Sequence, residues 1–126
     1  MKLDADFGTE SLGALGVEAI DLLCRGDVNT LAQRFGYALS FDRDPATAIR
    51  EDLKRCLSEA GATSLARAPE NPVRSVKYFK PNSSNLIAVV ECSAPTQTGA
   101  ALSVDLIVSS KAEERHITLE SIYWQG

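Results

Sequence analysis

The sequence predicts an α+β fold in one domain, with helices gathered on one face of an antiparallel sheet. Three observations point there. Apolar residues recur at three-and-four spacing up to about residue 60, and after Gly61 the period changes to two. The alternating segments are joined by short polar connections of hairpin length, such as "KPNSSN", "APTQTGA" and "SKAEER". A chain of 126 residues is long enough for one proper core, and no repeat, low-complexity tract or linker divides it. The helices are expected over about 9–60 and the sheet over about 62–125.

The first helix is expected over 9–25, where Leu12, Leu15, Gly16, Ala19, Ile20 and Leu23 form one stripe. Gly26 follows, where a left-handed residue ends a helix without steric strain. Asp27 comes next, and its carboxylate can cap a new helix. That helix carries Val28, Leu31, Phe35 and Leu39 on one side. The triplet Arg25-Gly26-Asp27 therefore reads as a helix stop followed by a helix start, and not as an adhesive loop. A third helix begins with Asp44 as its cap and Pro45 as its first residue. Ile49, Leu53, Cys56, Leu57 and Ala60 form its apolar face, and Gly61 closes it. Glu51 and Arg55, four apart, are placed to attract.

Segments 73–79, 86–93, 101–109 and 116–124 are the strands, with a weak edge strand at 62–68, so the sheet has four to five strands. Alternation assigns Leu102, Val104, Leu106 and Val108 to the helix-facing side. It assigns Ile117, Leu119, Ser121 and Tyr123 to the same side. The opposite face then carries Ser103, Asp105 and Ile107 beside His116, Thr118, Glu120, Ile122 and Trp124. Exposed aromatics flanked by charge favour contact surfaces.

Composition narrows the function classes. Hydrophobic residues make up 44% and charged residues 24%, as in a folded globular chain. No apolar run approaches the roughly 20 residues of a membrane helix, and no secretory signal is recognisable at the start, so a cytoplasmic location is expected. The net charge is −4 and the pI about 5.0, which disfavours nucleic acid or an anionic membrane as a direct target. Residues 1–60 hold eleven acidic and seven basic side chains, and the remainder hold six of each. The helical half thus carries the whole acidic excess. Cys24, Cys56 and Cys92 are far apart, with no CxxC or Cys/His cluster, so they read as small buried hydrophobes and no metal site is expected. A nucleophile elbow, phosphate loop or His-Asp pair is not readable either. The residues open to acid–base work are Tyr37, Asp42, Asp105, His116, Glu120 and Tyr123.

The phrase "GDVNTLAQRF", with Gly26, Asp27, Leu31 and Phe35 in a G-D-x-x-x-L-x-x-x-F pattern, stands before an amphipathic helix and four hairpin-linked strands. This layout resembles the cystatin-like or NTF2-like (nuclear transport factor 2-like) α+β superfamily. It departs from many members in lacking a hairpin between its second and third helices. The resemblance implies helices and a curved sheet forming a cone. It also implies a wide choice of functions, from isomerases and dehydratases to ligand binders, scaffolds and immunity proteins against bacterial toxins.

Two readings follow. The first is a non-enzymatic protein-binding module, in its sharpest form an immunity protein that neutralises a basic toxin such as a nuclease. The alternative is a cone that binds a small molecule or acts as an isomerase or lyase, for which a deep apolar pocket with one ionisable group would speak. Under the first reading no cofactor is expected. The partner is a basic protein, and Asp42, Asp44, Asp105, Glu120 and Trp124 lie at its surface. Ile122 with Trp124 could also serve a homodimer through the sheet face.

Overall fold

The computed structural model describes all of Met1–Gly126. Three helices, α1 (Thr9–Cys24), α2 (Val28–Phe35) and α3 (Pro45–Glu59), precede four strands. These are β1 (Val73–Tyr78), β2 (Leu86–Pro95), β3 (Ala101–Lys111) and β4 (Glu114–Tyr123). The strands form one open antiparallel sheet in the order β1-β2-β3-β4, and the helices pack on one face of it. The architecture is α+β. The weak strand expected over 62–68 shrinks to a single bridge between Leu65 and Thr96, so the sheet has four strands. No helix is long and apolar enough to cross a membrane.

The helix boundaries follow local chemistry. Gly26 takes φ +76° after α1, and the Asp27 carboxylate then accepts from the Thr30 amide at 3.4 Å. The Arg-Gly-Asp triplet is indeed a joint. Asp44 accepts from the Thr47 amide at 3.1 Å at the head of α3, with Pro45 behind it. The pair Glu51–Arg55 does not form. Arg43 reaches Glu51, and Arg55 turns to Asp52 and Glu59.

Twenty-seven buried apolar residues fill the space between helices and sheet. The sheet's contribution is Ala88, Val90, Cys92 and Ala94 from β2, Leu102, Val104, Leu106 and Val108 from β3, and Ile117, Leu119 and Ile122 from β4. Gly16 lets α1 press close. A Cβ there would lie 2.8 Å from Val73 Cγ2 and 3.0 Å from Val90 Cγ1. Burial pushes the Cys92 thiol up to about 12 and, with Asp21 adding to it, the Cys24 thiol up to about 11, so both stay protonated near neutral pH.

One irregularity corrects the expected faces of β4. Leu106 pairs with Leu119 but Asp105 pairs with Ser121, so Glu120 is an extra residue in a bulge. Past it the alternation inverts. Ile122 turns inward opposite Val104 and is buried, while Ser121 and Tyr123 turn outward.

The two sheet edges differ. The outer edge of β4 is covered by the chain itself: the Leu3 amide donates to Arg115 O, the Ile117 amide to Met1 O and the Ala38 amide to Leu119 O. The outer edge of β1 has no partner strand.

Candidate partner-binding surface

The sheet face turned away from the helices carries the most unusual polar arrangement in the molecule. Strand register lines up Ser75, Glu91, Asp105 and Ser121 as direct neighbours, one from each strand. Two carboxylates thus sit side by side at the centre, with a hydroxyl at each end. A second row, Ser93–Ser103–Tyr123, adds further hydroxyls next to it. Directly opposed like charges destabilise a sheet, so this row needs compensation.

Glu91 has it. Ser75 Oγ donates to Glu91 Oε1, and Lys77 Nζ lies 3.0 Å from the same oxygen. The Ser75 hydrogen bond, followed by that of Lys77, holds the Glu91 carboxyl below its ordinary value. Asp105 does not have it. Tyr123 OH donates to Asp105 Oδ2 across a long 3.3 Å, and Oδ1 is shut off from water with no donor at all. Burial, and then the charge of Glu91, raise the Asp105 carboxyl above its ordinary value, against the smaller opposing pull of Tyr123 and Arg74. A desolvated carboxylate oxygen without a donor is costly, and so is the like charge of Glu91 directly across the strands.

The five residues expected at a partner surface do not form one patch. Asp105 and Glu120 come together, since Glu120 bulges from β4 beside Asp105's pairing partner and its charge is felt there. Asp42 and Asp44 are exposed on the α2–α3 connection, where Asp44 already caps α3. Trp124 follows β4 and packs against the core, only partly exposed. Ile122 is buried, so Ile122 with Trp124 does not offer an exposed pair on the outer face. The candidate acid–base residues also scatter. Tyr37 OH is buried against Asp52, and His116 Nε2 lies 3.1 Å from Glu114 near the start of β4. Only Asp105, Glu120 and Tyr123 share a region, and it is an open face.

Two features lie outside the sequence reading. One is a buried carboxylate on α3, Asp52, which is 4% exposed. Tyr37 OH donates to its Oδ2 at 2.6 Å, Arg43 Nη1 donates to Oδ1 at 3.0 Å and Arg55 Nη1 to Oδ1 at 3.1 Å. Burial alone would raise this carboxyl, but the hydrogen bonds from Arg43 and Tyr37 and the charges of Arg43 and Arg55 outweigh it and hold it low. Arg43 also donates to the Leu39 and Ser40 carbonyls and so fastens the α2–α3 connection. The other is Phe41 on that connection, 78% exposed and at φ +52°, a strained setting for a bulky residue. Its place between Ser40 and Asp42, beyond the apolar stripe of α2, was the available signal for exposure.

Comparison with known proteins finds no family model, no curated protein and no solved structure that matches the chain, so its own side chains carry the functional argument.

Proposed function

We propose that this chain is a non-enzymatic protein-binding module that receives a basic protein on the outer face of its sheet. The observation that carries this reading is Asp105: a carboxylate drawn out of water, set against a second carboxylate, with one oxygen lacking any donor. An Arg or Lys from a partner, seated over the row, would offset the repulsion between Glu91 and Asp105. Around the pair lie Ser93, Ser121 and Tyr123, whose hydroxyls can donate or accept, while Ser103 beside them is buried. The net charge of −4 has the sign that suits a cationic partner, and at the outer face itself Glu91, Asp105 and Glu120 supply the negative charge, since the excess of residues 1–60 lies in the helical half behind the sheet.

The sharper form of the proposal is a cytoplasmic immunity protein of the cystatin-like or NTF2-like kind, neutralising a basic toxin such as a bacterial nuclease. Its support is the order of elements, the acidic balance and the filled interior. The cone-ligand alternative has less behind it. The space between helices and sheet is occupied by apolar side chains, and the ionisable candidates sit on the opposite face or at the surface.

The test is a pull-down from the native host with tagged wild-type chain and tagged Asp105→Lys in parallel, read by mass spectrometry. A stoichiometric basic protein held by the wild type and lost by the variant is the expected result, with association that slows as salt is raised. A partner held equally by both, with no salt dependence, overturns this use of the outer face.

A further inference from the structure

Five of the seven basic side chains in residues 1–60 meet a carboxylate: Lys2, Arg25, Arg34, Arg43 and Arg55. The two that do not are Arg50 and Lys54, although this half of the chain carries the acidic excess. Four apart on α3, they stand on one side of the helix and repel. The acids of α3, Glu51, Asp52 and Glu59, turn to Arg43 and Arg55 instead. Arg50 donates from Nη2 to a neutral acceptor, Asn29 Oδ1, at 2.8 Å.

Both cations border one groove on the flank of α3, with a volume of about 520 Å³. Leu53 and Leu57 line it beside them at helical spacing, and Ala62 and Thr63, from the segment after α3, complete it. No acidic side chain borders it. The groove is held open by local structure. Gly61, at φ +71°, turns the chain back against α3, and the Ala62 amide donates to Leu57 O at 2.8 Å. Gln97, from the β2–β3 connection, then pins the returning segment. Its Oε1 accepts from the Thr63 and Ser64 amides at 3.3 and 3.0 Å, and its Nε2 donates to Thr63 Oγ1 at 2.7 Å. The Thr63 hydroxyl proton is left to donate elsewhere. A groove fixed in this way needs little ordering when a ligand enters.

We infer that this groove binds a small amphipathic anion, an acyl or aryl carboxylate. Its apolar body lies against Leu53, Leu57 and Ala62, and its carboxylate is held by Lys54 and Arg50. The volume falls within the roughly 300–1,000 Å³ of small-molecule sites. Charge-assisted hydrogen bonds to a carboxylate replace the repulsion between the two cations with attraction. A bare anion would leave the apolar lining unused, and an uncharged apolar molecule would leave the cations unanswered. Because α3 packs on the helical side of the sheet, the groove is separate from the acidic row on the outer face.

Calorimetric titration of the full chain with octanoate, 1-octanol and acetate tests this, with backbone amide NMR to place the ligand. The expected result is one octanoate per chain with a Kd below about 1 mM, and octanol and acetate each at least about tenfold weaker. The amide shifts should centre on Lys54, Leu57, Ala62 and Thr63. Lys54→Glu should weaken octanoate at least about tenfold. Its urea midpoint should not fall, because an acid at position 54 attracts Arg50. Lys54→Gln, which only removes the charge, should fall between that variant and the wild type. A Kd above about 1 mM for octanoate overturns the inference. So do shifts centred elsewhere, octanol bound as tightly as octanoate, or Lys54 variants that bind octanoate as the wild type does.

Discussion

Asp52 and Asp105 are both carboxylates taken largely out of water, and the chain treats them in opposite ways. Asp52 receives a tyrosine hydroxyl and two guanidinium groups, with donors on each oxygen. Asp105 receives one long hydrogen bond, has an oxygen with no donor, and faces a like charge. The first arrangement joins α3 to the α2–α3 connection and belongs to the fold. The second adds nothing to the fold that an uncharged side chain of the same shape would not supply. A polar group that weakens the free molecule is a mark of function, because selection for binding tolerates what selection for stability would remove.

Substitutions can break or sharpen this contrast. The largest effect is expected from Asp52→Asn, which removes the charge that two arginines and Tyr37 converge on. It should lower stability by about 3 kcal/mol, read as a lower urea midpoint, and loosen the α2–α3 connection. Next is Gly16→Ala on the helix-facing side, where a new methyl would meet the Val73, Val90 and Cys92 side chains. The gain in helix propensity does not offset that crowding, and a loss of about 2 kcal/mol is expected. Asp105→Asn should act with the opposite sign, stabilising by about 1 kcal/mol at neutral pH, since an amide there can donate toward Glu91 and carries no charge. The smallest effect is electrostatic. Glu91→Gln removes the charge facing Asp105, so the Asp105 carboxyl should titrate lower, as followed by carboxyl NMR. An unmoved Asp105 would mean that the two carboxylates do not interact across the strands.

Much of this architecture was legible. Helix ends were written in Gly26, Asp27, Asp44 and Pro45, whose backbone and capping preferences act locally. The alternation of β3 correctly separated Asp105 from the core. What was not legible depended on contacts between distant residues. The bulge at Glu120 carries no glycine or other local mark, yet it reverses the faces of Ser121, Ile122 and Tyr123. Strand register decides that Glu91 opposes Asp105, and only the assembled sheet fixes register. Asp52 lies three residues after Ile49 and four before Cys56, on the buried stripe of α3, but the partners that hold it, Tyr37 and Arg43, lie in a connection with no periodicity to orient them.

Thermal unfolding of Asp105→Asn and Asp52→Asn against wild type, from neutral pH down to about pH 3, separates the two roles without needing a partner. A raised carboxyl penalises the folded state above its own value and not below the unfolded value of about 3.9. The gain from Asp105→Asn should therefore be full at pH 7 and vanish as pH falls into the ordinary carboxylate range. A lowered carboxyl stabilises above the unfolded value and stops doing so as pH falls through its folded value. The loss from Asp52→Asn should shrink only at the acid end. Opposite signs at pH 7 with these two pH courses would support Asp105 as a binding carboxylate that the free fold does not use. If Asp105→Asn destabilised the chain as Asp52→Asn does, the outer row would be part of the scaffold and the argument for a partner there would fail.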